Sequence, residues 1–130
     1  MTAELEFPEN CKYTNEHIWV KPDGDNLVIG ITDFAQAQLG EVVYVEVPEP
    51  GDEFGSDSVF GSIESFKAVS ELFMPLTGEI AQVNNALEDE PTLVNTAPYS
   101  DGWIAVIKKF NAKWDGALLD ADAYKTGLAL

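Results

Sequence analysis

The chain has 130 residues, 45% hydrophobic and 11% aromatic, a composition that fits one domain, residues 1–130, with its own core. Its 23 acidic and 7 basic residues give a net charge of −16, a field that repels phosphates and anionic lipid headgroups, so we expect neither a nucleic-acid nor a membrane partner. The single cysteine, Cys11, excludes an internal disulfide and a multi-thiolate metal site.

The sequence also bears on location. No apolar run reaches the roughly 20 residues needed to span a bilayer, and residues 1–4, which end in the acidic Glu4, lack the basic-then-apolar layout of a signal peptide. We therefore expect a cytoplasmic protein. The acidic residues are spread along the whole chain, which favours general solvation over recognition by one partner.

Short β-rich segments separated by turn residues predict a mainly β protein. In chain order, the predicted strands are residues 19–20, 26–31, 42–47, 59–64, 69–74, 79–83 and 103–107. A hairpin turn is predicted at Asp23, Gly24 and Asp25, between the first two strands.

Two helices are predicted among the strands. Thr32 or Asp33 can cap a short internal helix that runs through Leu39, and Gly40 permits a left-handed exit from it. The second helix is predicted over residues 115–126. Its expected apolar face consists of Leu118, Leu119 and Ala123, and Gly127 is expected to end it.

Residues 48–52 and 75–79 share the pattern Pro, two residues, Gly, acid. Each segment follows a predicted strand and precedes another, as two similar half-sheets folded on each other would need. A chance match over five residues is the alternative, and both interpretations stay open at this point.

Residues for enzymatic chemistry are scarce. His17 is the only histidine and Cys11 the only thiol, and nothing in the intervening sequence fixes them in hydrogen-bond reach. The carboxylates show no spacing typical of a metal site, and no glycine-rich phosphate loop precedes a helix. We therefore expect a non-catalytic protein with no metal site.

The segment from 59 to 75 is unusual because two alternating runs meet at residues 65–68. If they form a hairpin, Lys67 stands at its tip and points to solvent, with Phe66 beside it. No other basic residue lies between Lys21 and Lys108, so Lys67 is an isolated chemical handle. From composition alone, an ordinary solvated turn residue is the competing interpretation.

Several ordered motifs between Tyr13 and Tyr124 make the chain resemble the lipoyl-carrying H proteins of the glycine cleavage system and their close relatives. The segments that carry the resemblance are residues 13–19, 30–36, 39–45, 64–70, 75–80, 84, 93–95, 98–99 and 102–103. The resemblance implies a barrel-sandwich hybrid of two half-sheets, as in lipoyl domains, with a short internal helix and a C-terminal helix outside.

The resemblance also implies lipoate joined to Lys67 by an amide, within an attachment motif of Glu64, Ser65, Ala68 and Ser70. A lipoate ligase or a lipoyl/octanoyl transferase would attach it. The arm would then take an aminomethyl group from glycine decarboxylase and present it to aminomethyltransferase, and dihydrolipoyl dehydrogenase would reoxidise it. The protein positions the arm while the cofactor carries the bond changes.

The expected resting groove of the arm is formed by His17, Ile18, Gln38 and Leu39. The family usually has glutamate at the position of Ile18, and many members have histidine at that of Gln38. A carboxylate favours a nearby amine cation and isoleucine cannot, so we expect weak glycine cleavage that Ile18→Glu raises. For His17 itself, a structural hydrogen bond near Trp19 is expected rather than a catalytic role.

These departures leave a second interpretation open: an H-protein-like lipoate-binding protein that carries sulfur for a heterodisulfide-reductase-like complex. Biotinyl carriers share the hairpin lysine but usually place methionine on both sides of it, where this chain has Phe66 and Ala68. A structural or regulatory protein with an unmodified Lys67 is the remaining alternative.

Overall fold

The computed structural model describes residues 5–128, so residues 1–4, on which the expectation about a signal peptide rests, lie outside it. Within this range, the elements are β1 (Lys12–Tyr13), β2 (Ile18–Asp23), β3 (Asn26–Ile31), α1 (Asp33–Leu39), β4 (Val42–Glu46), β5 (Glu53–Phe54), β6 (Val59–Ser65), β7 (Val69–Phe73), β8 (Gly78–Val83), α2 (Ala86–Asp89), α3 (Leu93–Thr96), β9 (Ala105–Lys108) and α4 (Ala121–Leu128). None of the helices in this range has the length and apolar character needed to cross a membrane.

The strands form two antiparallel sheets, which confirms the mainly β prediction. One sheet has six strands in the order β1-β2-β3-β9-β8-β5, and the other has three in the order β4-β6-β7. Over residues 5–128, the two sheets are unequal in size and do not close into a barrel. The tight β2–β3 turn is confirmed, since Asp23 pairs with Asn26 and Gly24 takes a φ of +62° between them.

The two Pro-Gly-acid segments occupy equivalent places in the fold. Residues 48–52 lead from β4 in the three-stranded sheet to β5 in the six-stranded sheet, and residues 75–79 lead from β7 to β8 in the same way. The strands that follow, β5 and β8, pair antiparallel with each other. Both segments therefore carry the chain from the three-stranded sheet to the six-stranded sheet.

The short internal helix forms as predicted. The Thr32 hydroxyl accepts a hydrogen bond from the Ala35 amide at 3.2 Å and so caps α1. Gly40 ends the helix with a φ of +77°, in the left-handed region that favours glycine. This exit turns the chain directly into β4.

The C-terminal helix begins later than predicted. Leu119 is extended, because its amide and carbonyl exchange hydrogen bonds of 2.8 and 2.7 Å with Tyr13, so a helix from residue 115 cannot pass through it. Instead α4 begins at Ala121, after Asp120, whose side chain accepts a hydrogen bond from the Ala123 amide at 2.8 Å. Residues 112–117 form turns.

The predicted apolar face of that helix is also wrong. Ala123 is exposed, and the buried residues of α4 are Ala121 and Tyr124. Gly127 lies within the last turn and does not end the helix. The three-residue spacing from Ala121 to Tyr124 places the buried side chains on one helical face.

Buried side chains form two clusters. The larger fills the space between the sheets and includes Ile18, Val20, Ile63, Met74 and Ile107. The smaller, here called the aromatic cluster, lies on the other face of β2 under α4, and its buried members are Cys11, Tyr13, Trp19, Ala121 and Tyr124. Residues 18–20, the first half of β2, are therefore buried on both faces, since successive side chains point in opposite directions.

Candidate functional site

The β6–β7 hairpin ends in a four-residue turn that presents Lys67. Glu64 pairs with Val69 as the last ladder position, and the Ser65 amide donates to the Ala68 carbonyl at 2.8 Å. Phe66 and Lys67 form the two central positions, and both side chains are exposed. The structure thus places Lys67 at the tip of a hairpin, where the sequence predicts it.

The hydroxyl of Ser65 shapes this turn from inside. Ser65 is only 7% exposed, and its Oγ accepts hydrogen bonds from the amides of Lys67 at 3.3 Å and Ala68 at 3.2 Å. The same hydroxyl donates to the Ala68 carbonyl at 3.3 Å. A side-chain oxygen that satisfies turn amides fixes the backbone locally, so Ser65 sets the direction from which Lys67 leaves the sheet.

The Lys67 side chain lies beside the end of α1. A β-carbon placed on Gly40 would be 3.7 Å from the Lys67 Cε. The side chain of Asn95 holds the segment between α1 and β4. Its Nδ2 donates a hydrogen bond to the Gly40 carbonyl at 2.8 Å, and its Oδ1 accepts one from the Val42 amide at 2.9 Å. Asn95, which belongs to one of the segments that resemble the family, therefore positions the end of α1 next to Lys67.

A cleft of about 400 Å³ opens between α1 and the edge strand β7, next to the tip. Its walls include five of the residues predicted for the arm groove and the attachment motif, namely His17, Gln38, Leu39, Ala68 and Ser70. Further wall residues, which sequence reasoning missed, include Glu16, Phe34 and Glu71. Glu64 is exposed on β6 and is not among the wall residues.

The groove assignment of Ile18 is corrected by the structure. Ile18 is 1% exposed and belongs to the core between the sheets, where it pairs with Ile31 of β3. Ile18 does not line the cleft, so it has no influence on the polarity of the cleft wall. The expected gain from Ile18→Glu loses its basis, because that position faces the core.

Two carboxylates give the cleft its charge. Glu16 and Glu71 lie on its walls, and both are exposed. Burial lowers the pKa of His17 below its ordinary value, against the raising effect of Glu16, so the imidazole is neutral near pH 7. Among the wall residues within the described range, the charges at neutral pH are therefore negative.

His17 is held from behind by the aromatic cluster. Its Nδ1 lies 2.7 Å from the Tyr124 hydroxyl, and that hydroxyl lies 2.8 Å from the Thr32 hydroxyl. Burial raises the pKa of Tyr124 to about 12, so the phenol stays protonated. The structure thus contains a structural hydrogen bond of His17, and its partner is the hydroxyl of Tyr124 in α4.

Within residues 5–128, no group of histidine, cysteine, aspartate or glutamate side chains is arranged to hold a metal ion. The fold and the site together define a carrier protein. Its two-sheet sandwich presents one lysine on a hairpin tip beside a cleft. Such an arrangement is that of a lipoyl-type carrier domain.

The comparisons give the family. The family model described as "Glycine cleavage H-protein" matches residues 11–129. The glycine cleavage system H protein of Bacteroides thetaiotaomicron is 49% identical over 121 residues, which are 93% of this chain and 96% of that protein. That of Brevibacillus brevis is 48% identical over 121 residues, 93% of this chain and 96% of that protein.

A solved structure agrees with these sequence matches. The crystal structure of a glycine cleavage system H protein from Mycobacterium marinum has a TM-score of 0.86 and 34% identity, and it covers 95% of this chain and 100% of that one. The chain belongs to the glycine cleavage H-protein family, whose members carry a covalently attached lipoate on lysine. The family supports the predicted lipoyl carrier of glycine cleavage over the alternative, a lipoyl carrier of sulfur, and H proteins are generally non-catalytic components.

Proposed function

We propose that Lys67 carries the lipoyl group and that the chain serves as the carrier of a glycine cleavage system in the cytoplasm. Its partners would be glycine decarboxylase, aminomethyltransferase and dihydrolipoyl dehydrogenase, and a lipoate ligase or a lipoyl/octanoyl transferase would modify it. The observation that carries the proposal is the position of Lys67 at the centre of the four-residue hairpin turn, next to Ala68 and Ser70 on the wall of the cleft.

The residues present fit a lipoyl arm. Lys67 is exposed at the tip, which gives a modifying enzyme access to its amine, and its stem already lies toward Gly40 at the end of α1. Bound lipoate supplies a dithiolane that can be reduced, substituted and closed again. The mixed walls of the cleft, with Phe34, Leu39 and Leu72 beside polar groups, suit a long apolar chain with a polar end.

The charge of the cleft favours an amine cargo. An aminomethyl group is a cation near neutral pH, and opposite charges within a few ångströms stabilise the charged form. Glu16 and Glu71 supply that negative charge on the cleft walls, whereas position 18 faces the core and contributes none of it. An anionic sulfur cargo would be repelled by the same two carboxylates.

The test is glycine cleavage reconstituted from purified partners, with the lipoylated protein as carrier. We expect the unmutated protein to support turnover, and Glu16→Gln combined with Glu71→Gln to lower kcat/KM for carrier loading by about tenfold, or about 1.4 kcal/mol. Glu88→Gln is the matched control, because Glu88 is an exposed glutamate on α2 outside the cleft.

Two results would contradict the proposal. No turnover with the fully lipoylated, unmutated protein would remove the glycine cleavage role. Unchanged loading kinetics in the double variant would remove the part assigned to Glu16 and Glu71. An unfolding midpoint in urea, measured for each variant, separates a loss of charge from a loss of structure.

A further inference from the structure

Exposed large hydrophobic side chains are concentrated on one part of the molecule. Within residues 5–128 they all belong to the three-stranded sheet and its tip: Val43 (37% exposed), Tyr44 (52%), Val59 (44%), Phe66 (79%) and Val69 (68%). Val59 lies at the far end of β6, and the other four lie at the end that carries Lys67. Single exposed apolar residues are ordinary, but a cluster next to a functional group indicates an interaction surface.

Strand register brings these side chains together. Tyr44 of β4 pairs with Glu64 of β6, and Glu64 pairs with Val69 of β7, so the three form one row across the sheet. All three are exposed, whereas Ile63 and Val45 beside them point into the core. We call Val43, Tyr44, Glu64, Phe66 and Val69 the tip patch.

Acidic side chains surround this apolar centre. Glu46 and Glu71 are exposed in the next row of the sheet, on either side of Ser62, and Glu41 is exposed just before β4. Lys67 is the only basic residue between Lys21 and Lys108. A complementary partner therefore has an apolar centre, a basic rim and room for one lysine side chain.

The tip patch and the cleft are separate surfaces. The cleft lies between β7 and α1, and none of the five residues of the tip patch lines it. Glu71 of the acidic rim also lies on a cleft wall, so a protein seated on the patch reaches the edge of the cleft and holds Lys67 beside it. The patch is also complete before any arm is attached, because it consists of side chains alone.

We propose that the tip patch is the docking surface for the enzyme that acylates Lys67. This inference rests on the proposed function, since it requires Lys67 to be the modified lysine. The enzyme binds a protein that has no arm yet, so it cannot draw affinity from the arm and must recognise protein surface next to the lysine. Enzymes that act on the loaded arm have the arm itself as an additional contact.

The reaction that this surface serves is an acyl transfer from an activated lipoyl donor, a mixed anhydride or a thioester. The Lys67 ammonium first loses a proton, and the amine attacks the donor carbonyl. The C–N bond of the amide forms as the C–O or C–S bond of the donor breaks. The leaving group departs with the electron pair of that bond, and the amine loses a second proton to solvent.

The experiment measures acylation of the unmodified full-length chain by a purified lipoate–protein ligase with ATP and lipoate, followed by intact mass. The test variant combines Tyr44→Thr and Val69→Thr, because threonine removes apolar surface but retains strand preference. Val59→Thr is the matched control, since Val59 is a comparably exposed residue of the same sheet at its far end. Glu64→Lys tests the charge in the centre of the patch.

We expect the double variant to raise KM about tenfold with kcat within twofold, and Val59→Thr to change neither. Glu64→Lys is expected to raise KM and to weaken its dependence on salt, because one attractive charge becomes repulsive. Phe66 is left unmutated, since it adjoins the reacting lysine.

Unchanged kcat/KM in the double variant would overturn the docking surface and leave the proposed function standing. An equal loss in Val59→Thr would also overturn it, because the effect would not belong to the patch. A loss confined to glycine cleavage by the prelipoylated variant would assign the patch to another partner. No acylation of the unmutated chain at Lys67 would overturn the inference and the proposed function together.

Discussion

The hairpin tip and the aromatic cluster are built in opposite ways. At the tip, Phe66 is 79% exposed and the turn is closed by hydrogen bonds among residues 65–68 alone. In the aromatic cluster, Tyr13 and Trp19 are fully buried and Tyr124 is 2% exposed. Packing is therefore concentrated where the chain must stay fixed, while the tip exposes the groups that other proteins must reach.

The aromatic cluster joins distant parts of the chain. The rings of Tyr13 and Tyr124 stack with their centroids 4.8 Å apart and their planes 9° from parallel. The Trp19 indole donates to the Pro98 carbonyl at 2.9 Å. Because Tyr124 also contacts His17, the cluster reaches the cleft wall and links the two regions.

The largest effect is expected from Tyr124→Ala. Truncation of a buried aromatic side chain costs about 3–5 kcal/mol of unfolding free energy, and here it also removes the hydroxyl that contacts His17 and Thr32. Urea unfolding measures the loss. Tyr44→Ala is the comparison at the tip, where a 52% exposed ring is expected to change stability by about 0.5 kcal/mol or less. Equal losses at both positions would break the contrast between the two regions.

A smaller effect is expected from Ser65→Ala. The variant removes the oxygen that accepts from the Lys67 and Ala68 amides, at a cost of about 1 kcal/mol. Hydrogen exchange of those two amides should accelerate, while the amides of β2 and β3 stay protected. Ser62→Ala, on the same strand outside the turn, is the control. Unchanged exchange at residues 67 and 68 would show that the hydroxyl does not hold the turn.

The smallest effect is the pH dependence that His17 contributes. Its pKa is lowered in the folded protein, so the unfolded chain binds the proton more readily. The contribution of the neutral imidazole to the free energy of unfolding is complete above the ordinary pKa of 6.5, and it is lost as the pH falls through the lowered pKa. His17 has a φ of +67°, which asparagine tolerates, so His17→Asn is the reference variant. Its stability relative to wild type should rise below pH 6.5; an opposite or absent trend would contradict the assignment.

Local pattern predicts much of the fold and less of the site. The strand alternation around Lys67 locates the hairpin and its tip, and Thr32 with Gly40 marks both ends of α1. The start of α4 could not be predicted from local sequence, because it depends on the pairing of Leu119 with Tyr13, more than a hundred residues away in the chain. Long-range pairing overrides local helix signals.

The misplacement of Ile18 has a related cause. Residues 18–20 are all apolar because one face of β2 contacts the core and the other contacts the aromatic cluster, so alternation gives no orientation. Glu16 and Glu71 were missed because acidic residues occur throughout the chain. Only the fold brings these two onto one cleft.

The most direct test of the carrier account is the mass of the protein purified from its own host, with peptide mapping of the modification. The account predicts a lipoyl amide on Lys67 that is absent in Lys67→Arg, a variant that retains the positive charge. An unmodified Lys67 in lipoate-replete cells, or a lipoyl group on another lysine, would contradict it.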